Sequence, residues 1–302
     1  MILKNNKELK QKDFKNEKEL QTYFERNLKR ILNCDFIETE FTVGNFRIDT
    51  LAFDEENNAF KIIEFKNVKN HSLIDQGYTY LKLLLERKAD FVLKYNQKTN
   101  KNKSIEDIDW SQTRIVFVSP IFTPYQLNAT DFKNIPVDLI KVTRYEEDII
   151  DIEFIKKTSN IKVEELNIVS DNEEVNREIK VYTEEDHLSK TTEVVKGLYN
   201  TLKEKILELD DIDMVVNKIY IAFKGSKNIC DLEIYKGFVQ VTINIKKGSI
   251  TDPGNVLSCY ILDDGKRIGH HGNGDYYYSI KKEEDIDLIM PFIKQSLNIN
   301  KK

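Results

Sequence analysis

Three cysteines, four histidines and a single tryptophan in 302 residues leave little material for several common chemistries. Cys34, Cys230 and Cys259 are odd in number, far apart and contain no CxxC pair, which argues against a disulfide framework and a structural zinc site. Scattered free thiols fit a reducing, cytoplasmic setting. No apolar run approaches the roughly 20 residues needed to span a bilayer, so no membrane partner is expected. The opening MILKNNKELK has none of the apolar core of a secretory signal. Excess positive charge is missing too. The formal net charge is −5: residues 1–158 are balanced, 159–186 carry −6 and 187–302 carry +1. A nucleic-acid partner is therefore not announced by overall charge. Local basic clusters exist, with nine Lys or Arg against five acids in residues 1–30, and Lys94, Lys98, Lys101 and Lys103 running without an acid between them. Such clusters either contact phosphates or form solvated faces.

What is present is enough for two cores. The chain is 40% hydrophobic, with 16 Phe and 14 Tyr, and its length suits two domains. The acidic stretch 159–186 has little periodicity and divides an N-terminal domain, 1–158, from a C-terminal one, 187–302. At the end of that linker, Thr183 to Asp186 offers a cap for the next helix.

The N-terminal half is organised around FRIDTLAFDEENNAFKIIEFK, residues 46–66. Two apolar runs flank a polar EENN turn, the pattern of a β-hairpin. Charges interrupt the runs at Asp49, Glu64 and Lys66. If Asp54 pairs with Ala59 around a Glu55–Asn58 loop, Asp49 falls opposite Glu64 and Arg47 opposite Lys66. An odd-length loop would send Asp49 to the other face. Two carboxylates and an ammonium meeting at one place suit a hard divalent cation and a polarised water. Solvated charges on a hairpin are the plain alternative.

Asp49, then fourteen residues, then Glu64-Phe65-Lys66 resembles the signature of the PD-(D/E)XK nuclease superfamily, and RIDTLAF…KIIEFK is similar to its NucS-like and RecB-like branches. Ile48 stands where that signature usually has proline. The resemblance spans about residues 16–155. It implies an α/β fold, a restriction-endonuclease-like αβββαβ core with extra strands, and Mg²⁺ or Mn²⁺ held by Asp49 and Glu64 with the Phe65 carbonyl. It also implies Lys66 acting on the attacking water, and DNA as partner.

The elements around the hairpin follow that plan. Residues 16–32 have helical spacing, with Leu20, Tyr23, Phe24, Leu28 and Ile31 on one stripe. Glu17, three residues before Leu20, is expected along that stripe, with Glu19 and Glu25 off it. A buried carboxylate needs a partner, and the resemblance makes Glu17 the helical acid of the site; a first-turn Glu favouring the helix dipole is the other reading. Residues 35–43 alternate as a strand. Ser72 to Asp75 resembles a capping box opening a helix to about Lys88, on which Gln76 and Tyr80 share a face. Their spacing resembles the Q-x-x-x-Y element of RecB-like nucleases, which implies that they contact substrate, with Arg47, or support the active site; a Gln and a Tyr on a partly buried helix is the plain alternative. A short apolar piece in a Lys/Asn-rich loop is expected over 90–113, then strands at 114–119, 137–142 and 148–155.

In the C-terminal half, a helix is expected over 190–209 with Val194, Leu198, Leu202, Ile206 and Leu209 on one stripe, then strands at 219–225, 230–235 and 238–248 and a helix over 283–297. YIAFKGSKN, INIKKG and IGHHGNGDYY are similar to a small α+β domain of unknown function, found beside nuclease-like domains and in proteins labelled predicted transport proteins. That resemblance implies no activity. The run Gly269 to Asp275 does not fit G-x-G-x-x-G and has no strand-to-helix crossover around it. It reads either as a glycine-rich turn or as a ligand pocket formed by His270, Asp275 and neighbouring tyrosines, with Lys224 and Lys227 adding anion contacts.

The expected function is metal-dependent hydrolysis of DNA phosphodiester bonds, in genome maintenance or phage defence, with a homodimer as one open arrangement. The alternative is a nuclease-like module that grips nucleic acid or protein without cutting, gated by a C-terminal domain that senses an unknown ligand or protein.

Overall fold

The computed structural model describes residues 2–66, 73–131, 135–158, 178–209, 211–225, 227–269 and 272–300. The chain divides into two compact units, 1–181 and 182–302.

The first unit is a six-stranded mixed sheet. Its strands are β3 (Asp35–Val43), β4 (Phe46–Asp54), β5 (Ala59–Phe65), β6 (Arg114–Ser119), β7 (Val137–Arg144) and β8 (Ile150–Ile155), and they lie in sequence order across the sheet. β3, β4 and β5 are antiparallel, β5, β6 and β7 run parallel, and β8 returns antiparallel on the edge. A short ribbon, β1 (Ile2–Lys4) with β2 (Lys7–Leu9), precedes them. Both faces of the sheet are covered, which is why β5 and β6 read as nearly unbroken apolar runs. On one face, α1 (Glu17–Arg26) and α2 (Leu28–Leu32) set Leu20, Phe24 and Leu28 against Ile63, Phe65, Val116, Val118, Ile140 and Val142. On the other, α3 (Leu73–Glu86) and α4 (Lys88–Thr99) bury Leu81, Leu84, Phe91 and Tyr95 against Phe53, Phe60, Ile115 and Phe117. After β6 comes α5 (Pro124–Thr130), closed at its start by a Thr123–Gln126 capping box. The αβββαβ order is thus present, with β7 and β8 as the added strands.

Two local expectations change. The stretch expected as loop contains α4, whose buried contribution is only Phe91, Val92 and Tyr95, too narrow a stripe to stand out among Lys and Asn. The end of the acidic linker is docked on the first unit: Ile179 is buried in its core, Lys180 N–H donates to the Ser111 carbonyl (3.1 Å), and Arg114 donates to the Lys180 carbonyl (3.1 Å).

The second unit packs α7 (Glu193–Leu207) and α8 (Glu284–Asn300) on an antiparallel sheet ordered β13-β14-β12-β11-β10-β9. Those strands are Ser258–Cys259, Tyr276–Ile280, Val239–Ile243, Asn228–Ile234, Ile221–Lys224 and Asp213–Val216. A short α6 (Glu184–Leu188) opens the unit, held by a Thr183–Asp186 capping box. The α7 stripe is Val195, Leu198, Tyr199, Leu202 and Ile206, not one beginning at Val194, which is 71% exposed. Thr192 caps the helix and so fixes its rotation.

Candidate metal site at the parting of three strands

The hairpin register sets the site. Asp54 pairs with Ala59, and pairing continues inward as far as Thr50 with Ile63. The next step in this register is Asp49 with Glu64, where the ladder stops. On the other side, Thr39 pairs with Thr50 and Phe41 with Ile48, so Glu40 stands opposite Asp49 at a gap in the β3–β4 ladder. Glu40, Asp49 and Glu64 therefore occupy matching positions on three neighbouring strands, where the β4–β5 ladder ends and the β3–β4 ladder is interrupted.

Side chains take over the hydrogen bonding there. Asp49 N–H donates to Glu64 Oε1 (3.1 Å), and Phe65 N–H donates to Asp49 Oδ2 (2.9 Å). Each carboxylate is thus clamped by backbone of the other's strand. The Asp49 carbonyl accepts from Gln21 Nε2 at 2.7 Å. Gln21 is 3% exposed on α1 and also reaches Thr39 Oγ1 (3.1 Å) and Glu25 Oε1 (3.0 Å), while Thr50 Oγ1 donates to Glu25 (2.6 Å). This network pins the helix to the strands and fixes the backbone that presents Asp49.

Glu64 is 1% exposed. Its Oε2 accepts from Gln76 Nε2 (3.0 Å) and lies 3.4 Å from Lys66 Nζ. Gln76 also donates to Tyr80 Oη (3.3 Å), and that hydroxyl donates to the Arg47 carbonyl (3.1 Å). Gln76 thus orients Glu64, and Tyr80 holds the β4 backbone. Arg47 and Lys66 are not cross-strand partners, because the ladder ends before them. Lys66 N–H bonds the Val118 carbonyl on β6, and the Arg47 guanidinium is largely exposed beside Glu40.

Charge is unevenly balanced. Burial, and then the Asp49 charge, push the Glu64 carboxyl up to about 7 against the opposing pull of Lys66. Burial likewise pushes Asp49 above the usual carboxylate range, outweighing the Phe65 N–H and Lys66; the charges of Glu40 and Glu17 add to the rise. Two hard carboxylates whose charged forms burial disfavours, beside one ammonium, form a set that could hold a small divalent cation. Among the described residues no group of three His, Cys, Asp or Glu is placed to ligate an ion. Asp49 and Glu64 could hold only a cation that binds through one or two carboxylates and fills its remaining positions with water, as Mg²⁺ does.

Glu17 is placed differently from the sequence expectation. It is the first residue of α1 and is exposed; the buried stripe begins one turn further in, at Leu20 and Gln21. Its charge still adds to the rise at Asp49, as the smallest of the named causes. Sequence reasoning missed Gln21, Glu25 and Glu40. Gln21 lies beside Leu20 and four before Glu25, a polar pair at helical spacing that could have been found. Nothing in DFIETEFTV marks Glu40.

In the second unit, Asp275 is 7% exposed and spent on its own loop, accepting from Lys247 N–H (2.8 Å) and pairing with Arg267 (3.1 Å). Lys224 lies in register between Asp213 and Asn228. His270 falls outside the described residues, as does Ser72. The glycine-rich run is needed for close approach: a Cβ on Gly272 would meet the Asp231 carboxylate at 2.7 Å.

Comparison with known proteins adds the following. Residues 184–300 match the Domain of unknown function (DUF5655). Two solved structures are matched over part of the chain at 16% identity. One is the EndoMS–dsDNA2 complex, with TM-score 0.28 over 38% of this chain and 40% of that one. The other is a repair endonuclease from Pyrococcus abyssi, with TM-score 0.23 over 40% of this chain and 45% of that one. The chain therefore spans less than half of either. A Haemophilus influenzae protein described as "Uncharacterized protein" is 42% identical over 300 residues, 96% of this chain and 95% of that protein. With identity of that order along nearly the whole of both chains, the protein belongs to the same family as the Haemophilus influenzae protein.

Proposed function

We propose that the N-terminal unit is a divalent-metal-dependent nuclease that hydrolyses phosphodiester bonds in DNA. The observation that carries this reading is the reciprocal clamp of Asp49 and Glu64, each carboxylate held by a backbone N–H next to the other, with Lys66 3.4 Å from Glu64. Asp49 and Glu64, with the Phe65 carbonyl, would hold Mg²⁺ or Mn²⁺. Such an ion supplies a polarised water and offsets charge on the phosphoryl oxygens.

The chain's own residues supply the rest. The clamp fixes both carboxylates before any ligand arrives, so little reorganisation accompanies binding. Gln76 holds the Glu64 rotamer, and Tyr80 holds the β4 backbone through Arg47. Lys66, as an ammonium 3.4 Å from Glu64, would orient the attacking water and stabilise charge developing on phosphate. Glu17 steers water or a second cation, and the Arg47 guanidinium faces the approach of the substrate.

The test is cleavage of linear, nicked, single-stranded and branched DNA in Mg²⁺ or Mn²⁺, with Asp49→Ala and Lys66→Ala alongside. Either substitution is expected to lower the rate by about 10²-fold or more. Binding without cleavage by the unaltered protein on every substrate would instead support a non-cutting module. Cleavage that survives in Asp49→Ala would remove the site from the reaction.

A further inference from the structure

Glu40 is the one acid of the three-strand row that the hairpin motif does not include. Its backbone has φ +52° in the middle of β3, the left-handed region that favours glycine and that side chains rarely adopt. Its carboxylate is shared by cations from two other elements. Lys18 Nζ on α1 bonds Oε1 at 2.8 Å, and Arg47 Nε on β4 lies 2.9 Å from Oε2. Lys18 is also oriented by Gln21 Oε1 at 3.1 Å. The Lys18 and Arg47 side chains are 57% and 70% exposed.

Ion pairs this exposed contribute little to stability, so they do not account for a glutamate at a position better suited to glycine. Geometry offers another account. Two solvent-facing cations converge on one planar anion directly across the strand from Asp49, and one of them is a guanidinium. A phosphodiester reaching Asp49 would need such a pair, and it carries the oxygens to replace the carboxylate. We propose that Lys18 and Arg47 form a phosphate clamp for the nucleic-acid strand, and that Glu40 occupies the clamp as a built-in anion until a backbone phosphate displaces it. This rests on the nuclease reading for the nature of the ligand.

The test is fluorescence anisotropy with fluorescein-labelled duplex, single-stranded and branched DNA. It uses the full chain in Ca²⁺ at several salt concentrations, beside a Mn²⁺ cleavage assay of the same proteins. Lys18→Ala and Arg47→Ala should each weaken binding about 5- to 10-fold at low salt and reduce the salt slope by about one. Glu40→Gln and Glu40→Gly should tighten it by a similar factor, and Glu40→Gly combined with Arg47→Ala should lose that gain. Glycine adopts the Glu40 backbone without strain, so Glu40→Gly should unfold in urea no earlier than the unaltered protein, separating ligand effects from folding. The clamp alone is overturned if the unaltered protein binds or cleaves DNA and these variants match it. If the unaltered protein neither binds nor cleaves any of the DNAs, the nuclease reading fails and takes the clamp with it.

Discussion

Asp54 and Lys61 form a buried ion pair of 2.8 Å at the closed end of the hairpin whose open end carries Asp49 and Glu64. The same carboxylate accepts from the backbone N–H of Glu56 (3.0 Å) and Asn57 (3.2 Å) and from Asn57 Nδ2 (2.9 Å). One side chain therefore fixes both the loop and its length, and loop length decides which face Asp49 occupies. The register of the candidate site is set five residues away from it.

That pair gives the fold an acid limit. Burial pushes the Asp54 carboxyl up, but the Lys61 charge and the hydrogen bonds from Lys61 and Asn57 outweigh it and bring it down to about 2. A carboxyl with a depressed folded pKa adds stability above its unfolded value, near 4, and loses it as pH falls toward 2. Urea unfolding followed by Trp110 fluorescence should show the unaltered protein losing about 2 kcal/mol more than Asp54→Asn between pH 5 and pH 2.5. Parallel losses in the two proteins would mean that Lys61 does not hold Asp54 ionised.

Glu64 should behave in the opposite sense. Its folded pKa is raised, so without metal it costs stability as pH rises from about 4.5 through 7. Glu64→Gln keeps an acceptor for Asp49 N–H and removes the buried charge. In EDTA at pH 8 it should be more stable than the unaltered protein by about 1–3 kcal/mol, while Mn²⁺ should raise the melting temperature of the unaltered protein only. A less stable Glu64→Gln at pH 8 would show that Lys66 and Gln76 satisfy the carboxylate without a cation.

Much of this geometry was legible in the sequence. The apolar runs, the EENN turn and the positions of Asp49, Glu64 and Lys66 marked the strands and the candidate residues, while the register was legible only as one of two choices, which the Asp54–Ala59 pairing decides. Gln76 and Tyr80 were legible through their four-residue spacing. What was not legible depends on tertiary placement. Glu17 follows the helical stripe on paper but falls in the first turn, outside the packed interface. Glu40 follows strand alternation and departs from it only through a backbone angle. The Gln21–Glu25 pair was legible at its helical spacing, but the reach of Gln21 to Thr39 and the Asp49 carbonyl on the strands was not.

Gln21→Leu tests that reach. Leucine fills similar space but cannot donate to the Asp49 carbonyl, Thr39 or Glu25. Glu25 keeps the Thr50 hydroxyl, but the half-buried Asp49 carbonyl loses its side-chain donor, which should cost about 1 kcal/mol or more in urea unfolding. If the site is catalytic, kcat should fall more than KM rises, since the backbone presenting Asp49 is loosened. An unchanged unfolding midpoint would mean that water replaces the Gln21 amide.

The rotation of α7 is testable with adjacent residues of the same type. Val195 is 2% exposed and packed in the second core, whereas Val194 is 71% exposed. Val195→Ala should cost about 1–3 kcal/mol and Val194→Ala no more than about 0.5. Equal costs would return Val194 to the buried stripe.

Gly274 offers the sharpest steric test in the second unit. Its φ is +126°, and a Cβ there would lie 1.9 Å from the Ile243 carbonyl oxygen and 2.8 Å from Asn244 Cα. Those atoms are backbone at the end of β12, so no side chain can swing aside. The neighbouring Asp275 is tied on several sides: its N–H donates to the Ile245 carbonyl (3.0 Å), its carbonyl accepts from Tyr260 N–H (2.8 Å) and its carboxylate accepts from Lys247 N–H (2.8 Å). Gly274→Ala must therefore either break these bonds or part β12 from β14. A cost of about 3 kcal/mol follows from the clash and the left-handed backbone together. Hydrogen exchange on the full chain should show amides of Ile243 and Tyr276 losing roughly 10²-fold in protection, with those of β5 and β6 unchanged. Protection retained at Ile243 would mean that the loop can shift away from the strand, and that glycine is dispensable at this turn.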